Sequence, residues 1–274
     1  DLLDDSNFIR IEDAIKKLNL STPGNQALFT QMMNNMYQEL DIVATSSQQV
    51  GPGDFIVYGT IHDTHEYKYK FRKLDWGLYL GAIIPCGLKR DLNNLASIPF
   101  GSEFGLWGWF ASLFAEFELK EDWKFGILGR ITQRIDKSVS VRVPIGKEQP
   151  LFAPVVANAG IDSGITASVA PYVVFEDLRA GFGFEGKYTI TVHEQDTFSA
   201  RLSDGLIAKM KKLNYYSGWI QEFATIRLFY DIAHDKDWKK RPFAYFAWDI
   251  PMNHIAGRGF AKTNRISLGC TVNF

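Results

Sequence analysis

From residue 51 to the C-terminus the chain alternates apolar and polar side chains at a period of two, and this alternation constrains its fold more than any other feature. Successive side chains of a strand point to opposite faces, so each alternating stretch reads as a strand with one greasy face and one polar face. Residues 54–71 place Phe55, Val57, Ile61, Tyr67, Tyr69 and Phe71 on one face. Their other face carries Asp54, Tyr58, Thr60, His62, Glu66, Lys68 and Lys70, with an expected bulge or turn where Asp63 and His65 break the apolar row. The same scheme recurs at 75–85, 104–119, 123–135, 164–176, 178–193, 219–232, 241–252 and in the last ten residues, Arg265 to Phe274. Nine strands are therefore visible.

Composition narrows the class. Aromatics make up 14% of the chain, with 21 Phe, 11 Tyr and 7 Trp, which favours strands. A net charge of −1 gives no long-range field for nucleic acid. The longest nearly uncharged apolar run, 104–115, is shorter than the roughly 18–20 residues of a membrane helix. A membrane location would thus have to use strands. The two cysteines, Cys86 and Cys270, have no metal-type spacing, and Cys270 lies in an apolar row as an unpaired small hydrophobe. The first residue is Asp1, which reads as a processed or partial chain.

Residues 1–50 follow a helical period instead. A short helix is expected over 11–19, and a second from Pro23 to Leu40, capped by Ser21 and Thr22. Leu28, Phe29, Met32, Met33, Met36, Tyr37 and Leu40 form one apolar stripe on it, read as a face packed on the body of the protein. This gives an N-terminal helical segment, 1–50, acting as lid, extracellular loop or plug, ahead of a strand region, 51–274.

Connections in the strand region alternate between short (72–74, 120–122, 177, 233–240) and long (86–102, 136–163, 194–214, 253–262). That is the layout of an up-and-down membrane barrel, whose short turns are periplasmic. Aromatics of the apolar rows gather beside the short turns: Tyr69, Trp76, Phe117, Trp123, Phe175, Phe182, Tyr230 and Phe274. An interfacial girdle belongs there. A charge facing hydrocarbon costs a few kcal/mol at the midplane, so the charged face must look inward. The expected fold is all-β, an antiparallel up-and-down transmembrane β-barrel of about 10–12 strands with a polar, hydrated or ion-paired interior.

The stretch RISLGCTVNF, ending on an aromatic, resembles the final strand of bacterial outer-membrane β-barrels. The resemblance implies outer-membrane lipid or lipopolysaccharide as surroundings and recognition by the barrel-assembly machinery through Arg265 to Phe274. Gly51-Pro-Gly-Asp54 followed by FIVYG resembles strand openings of FadL-like and phenol meta-pathway transporters. That likeness implies uptake of hydrophobic or aromatic small molecules, and no site residue of that family can be matched to this chain. An even strand number further requires an ascending strand from upstream, from a partner chain, or within 41–46.

The candidate site is the charged inward row: Glu66, Lys68, Glu116, Lys124, Arg130, Arg134, Glu176, Glu185, Lys187, Arg227, Asp231 and Asp249. Read as a pore lining, it selects small solutes. Read structurally, it is a salt-bridged network closing the barrel. An adhesion barrel acting through its long loops and a soluble lipocalin-like carrier are the remaining alternatives. No cofactor, metal or enzymatic activity is expected. Gly181-Phe-Gly183-Phe-Glu-Gly186 matches GxGxxG but lies within a strand, where glycines ease twist or close packing. His62 and His65 lack a third metal ligand. A lipase-like Ser/His pair would need His193 or His254 beside a serine.

Overall fold

The computed structural model describes residues 23–43, 49–67, 72–94, 96–97, 99–102, 104–146, 150–200, 210–232, 241–253, 255, 257–258 and 263–273. The expected first helix, and Lys68, Tyr69, His254 and Phe274, lie outside these residues. The elements are α1 (Pro23–Glu39), β1 (Phe55–Glu66), β2 (Lys73–Ile84), β3 (Gly108–Lys120), β4 (Trp123–Arg134), β5 (Lys137–Val143), β6 (Val155–Asp162), β7 (Thr166–Arg179), β8 (Phe182–His193), β9 (Thr197–Ser199), α2 (Met210–Ser217), β10 (Trp219–Asp231), β11 (Arg241–Met252) and β12 (Arg265–Asn273).

The nine expected strands form one antiparallel sheet in the order β1-β2-β3-β4-β7-β8-β10-β11-β12. Each strand pairs with its predecessor in a meander, interrupted only where β5, β6 and β9 leave the sheet. β1 runs without the expected break at Asp63 and His65: all twelve of its residues stay in continuous register with β2. The shifts fall instead beside short turns, between Glu118 and Lys120 and between Phe175 and Arg179. With nine antiparallel strands, β1 and β12 run the same way, and among the described residues they are not paired with each other.

The two faces of this sheet differ as the alternation requires. The apolar rows point away from the concave side and stand exposed: Phe55, Val57, Ile61, Leu80, Trp109, Trp123, Phe125, Ile127 and Ile131 are all exposed, Leu113 is 55% exposed and Leu268 79%. No described element covers them. Toward the short turns the aromatics abut, with Trp123 edge-on to Phe175 at 4.9 Å and Phe175 6.2 Å from Phe184. Glu222 interrupts this face, yet it is fully buried. Its carboxylate accepts bonds from Tyr188 Oη (2.6 Å) and Ile255 N (3.1 Å).

On the concave face, rings lie over glycines. Gly77 faces Phe114, Gly81 faces Phe110, Gly126 faces Tyr172, Gly183 faces Phe229 and Gly269 faces Tyr245, each pair being direct partners across two strands. A Cβ at Gly81 or Gly269 would stand 2.5 Å from the facing ring, and the other three are tighter still. These glycines lack a side chain so that a neighbouring ring can lie flat, which packs and shields an otherwise bare stretch of sheet. Gly183 thus explains one glycine of the GxGxxG match, and Gly181, at φ 82°, takes the turn with Ala180. Gly126→Ala is expected to push Tyr172 off its seat, break its bond to Glu116, and destabilise the fold by about 1–3 kcal/mol. The urea midpoint measures this, and an unchanged midpoint would mean that the ring is not seated.

Two of the long connections, 136–163 and 194–214, carry strands and a helix of their own. β5, β6 and β9, within the expected long connections 136–163 and 194–214, form a second, three-stranded sheet. Val141, Val143, Ala159, Ile161 and Phe198 make its core, with Phe104, Met210 and Leu213 packed around it. All of these segments issue from the same end of the large sheet and build a cap there. Arg142, 6% exposed, ties the cap to α1. Its guanidinium donates to the carbonyls of Leu92 (2.7 Å), Ala153 (3.0 Å) and Leu40 (3.3 Å), and to Asn93 Oδ1 (3.0 Å). Leu40 follows the last turn of α1, where orphan carbonyls and the helix dipole favour a cation. Burial pulls the guanidinium below the ordinary arginine value, while the Asp41 and Asp91 carboxylates oppose the shift. Most of the apolar stripe of α1 is half-buried, with Leu28 exposed.

Candidate functional site

The registers bring the inward rows of β1, β2, β3, β4, β7 and β8 onto one concave surface that lines an open cavity of about 670 Å³. Six adjacent strands lining a single cavity means that the sheet is strongly curved. Of the twelve candidate residues, Glu116, Arg130, Glu185 and Lys187 line this cavity.

The other candidates divide by position. Lys124 and Arg227 stand beside the cavity as ion partners of its acids. Arg134 sits at the capped rim, where Nη1 reaches Asp54 Oδ2 at 3.3 Å and the Leu106 carbonyl at 3.0 Å. Asp54 also accepts from Ser102 N (2.8 Å) and Gly87 N (3.3 Å), so this pair fastens the start of β1 to the cap. Asp249, buried, accepts from Thr225 Oγ1 (2.6 Å) and from Arg265 Nε (2.6 Å), farther along the sheet. Glu66, Glu176 and Asp231 lie at the short-turn ends of β1, β7 and β10. Lys68 falls outside the described residues.

Among the described residues, most charges around the cavity have an opposite charge beside them. Lys124 pairs with Glu176 and lies 3.8 Å from Glu116, which also accepts from Tyr172 Oη at 2.9 Å. Glu185 holds Arg227 at 3.2 Å and Lys187 at 3.6 Å. Arg227 also stacks on Tyr245, 4.5 Å from its ring centre. Register sets the first of these pairs, since Glu185 is the direct partner of Arg227, whereas Glu185 and Lys187 are two residues apart on the same face of β8.

The concave face is less polar than the charged row suggests. Tyr58, Tyr79, Phe110, Phe114, Leu128 and Val174 line the same cavity. Tyr58 and Tyr79 meet edge-on at 5.9 Å, Tyr79 lies 5.8 Å from Phe114, and His62 stacks on Phe114 at 5.8 Å. Beside its charged row, the concave face thus carries an aromatic and aliphatic wall. The signal was present as even-numbered aromatics in β3, opposite the apolar row.

Two sequence motifs find other settings. His62 and His65 project from opposite faces of β1, His65 lying 3.2 Å from Asp63. His193 has no serine on its ring; its Nδ1 is 2.8 Å from Thr166 Oγ1 and its Nε2 3.2 Å from Asp196 Oδ1. Asp196 accepts from Gly164 N at 2.8 Å as well, so the cluster joins the start of β7 to the end of β8 beneath the cap. No protein-family model matches the chain, and no curated protein matches it either.

Proposed function

We propose that the nine-stranded sheet is the greater part of a transmembrane β-barrel in a bacterial outer membrane, and that its lumen passes small solutes. One observation carries the reading: the sheet exposes its apolar rows on the convex side while matching its charges on the concave side. A soluble monomer seldom exposes a contiguous apolar area beyond a few hundred Å². Hydrocarbon is the solvent that removes the cost of such a surface. The aromatic ends of β3, β4, β7 and β8 then sit at the periplasmic interface, and the cap of long connections lies outside the cell. Lipid or lipopolysaccharide would contact the belt, and β12 would be the strand read by the assembly machinery.

The bilayer tolerates no bare strand edge. β1 and β12 both descend toward the short turns, so one ascending strand, antiparallel to both, would complete an even barrel. An upstream segment or a partner chain would supply it.

Reconstitution into planar bilayers tests the reading. Discrete conductance steps are expected, and Arg130→Glu or Arg227→Glu should shift selectivity toward cations. Silent bilayers with folded, heat-modifiable protein would favour the second reading, a closed structural barrel, which the near-complete pairing of wall charges supports. Protein that stays monodisperse without detergent would overturn both and point to a soluble carrier.

A further inference from the structure

Arg130 departs from the pattern of matched charges. Its guanidinium carbon lies 4.1 Å from the centre of the Phe110 ring, and its Nε donates to Thr132 Oγ1 at 3.3 Å. Among the described residues no carboxylate comes within ion-pairing distance of it. Its direct partners on the flanking strands are Ser112 and Ser168, which bring no charge. The two acids of the cavity, Glu116 and Glu185, are held by Lys124 and by Arg227 with Lys187. Arg130 is therefore the one charged residue lining the cavity that has no opposite charge beside it, and it is set against the rings of Tyr58, Tyr79, Phe110 and Phe114.

We infer that this cavity is a binding site for a small aromatic monoanion, a ring bearing one carboxylate. Resting on the transport reading, this names the class of solute. The carboxylate takes the free edge of the Arg130 guanidinium, a planar fork suited to two parallel N–H···O bonds. The ring lies against the aromatic wall, where offset or edge-on contacts are favourable. A single charge is required, since a second one would face Glu116 and Glu185 across the cavity. A neutral hydrophobic molecule would leave the arginine partly desolvated and unmatched, so it binds less well.

Calorimetric titration of the folded protein in a non-ionic detergent tests this with benzoate, benzyl alcohol and phthalate as probes. Benzoate is expected to bind about tenfold or more tightly than benzyl alcohol, and phthalate to bind more weakly than benzoate. Arg130→Gln should reduce benzoate affinity by about the same factor and not weaken the binding of benzyl alcohol. Benzyl alcohol or phthalate binding as tightly as benzoate would overturn the proposal, as would benzoate affinity indifferent to Arg130→Gln. Should that variant fail to fold, the comparison of the three probes on the wild-type protein still decides. Benzoate binding without conductance would sink the pore and leave the site standing, whereas conductance with no preference for benzoate would do the reverse.

Discussion

Replacing Leu113 with arginine is expected to cost about 2–4 kcal/mol of folding free energy in phospholipid vesicles. Leu113 lies at the middle of β3 in the apolar row and is more than half exposed, so the substitution creates no cavity and meets no clash. In water such an exposed change is worth about 0.5 kcal/mol or less. In hydrocarbon the guanidinium must be dragged from the interface or left unsolvated, and the cost rises severalfold. Thr191→Lys supplies the control. Thr191 points to the concave side between Ser168 and Gln221, where an extra cation stays in contact with water and polar neighbours. Its expected cost is about 0.5 kcal/mol in the same vesicles. Equilibrium urea unfolding of both variants gives the answer. Equal, small effects would remove the lipid-facing assignment of the convex side.

Arg142→Met is expected to release α1 and loosen the cap, at about 2–4 kcal/mol of local stability. The substitution keeps much of the side-chain volume but strands several acceptors at once: the carbonyls of Leu40, Leu92 and Ala153 and the Asn93 amide oxygen. Buried acceptors without donors each cost about 1–3 kcal/mol unless water reaches them. Water will reach some of them, so the sum is smaller than the parts. Amide exchange should quicken in α1 and β5 and remain slow in β3, β4, β7 and β8. Protection of α1 equal to the wild type would mean that the helix is held by its apolar stripe alone.

The sheet was legible because one face of it repeats with few interruptions, Asp63, His65 and Glu222 among them. Ile127, Ile131, Val169 and Val173 need only parity to be placed, and parity survives any error in where a strand begins. The interior was harder to read. Arg134 and Glu116 share a row in the sequence, but one end of that row reaches the cap and the other the cavity, and only the pairing of strands separates them. Phe110 and Phe114 look like an excess of aromatics in an apolar run, and a cavity lining becomes visible once Gly81 and Gly77 are known to stand opposite. The cap escaped notice for a further reason. Its core joins Val141, Ile161 and Phe198, residues of two different connections, and period-two reading does not register contacts between separate loops.

The glycine seats also bear on how the strands find one another. A strand that slips by two residues keeps its greasy side outward and its ionic side inward, so hydrophobicity alone does not reject the error. Such a slip would drive Tyr172 onto Lys124 or Leu128, or Tyr245 onto Ser267 or Thr271, positions already filled by a side chain, and leave a bare gap behind. Each ring and its glycine thus act as a key and keyway, giving the growing sheet a proofreading step that its alternating pattern does not provide.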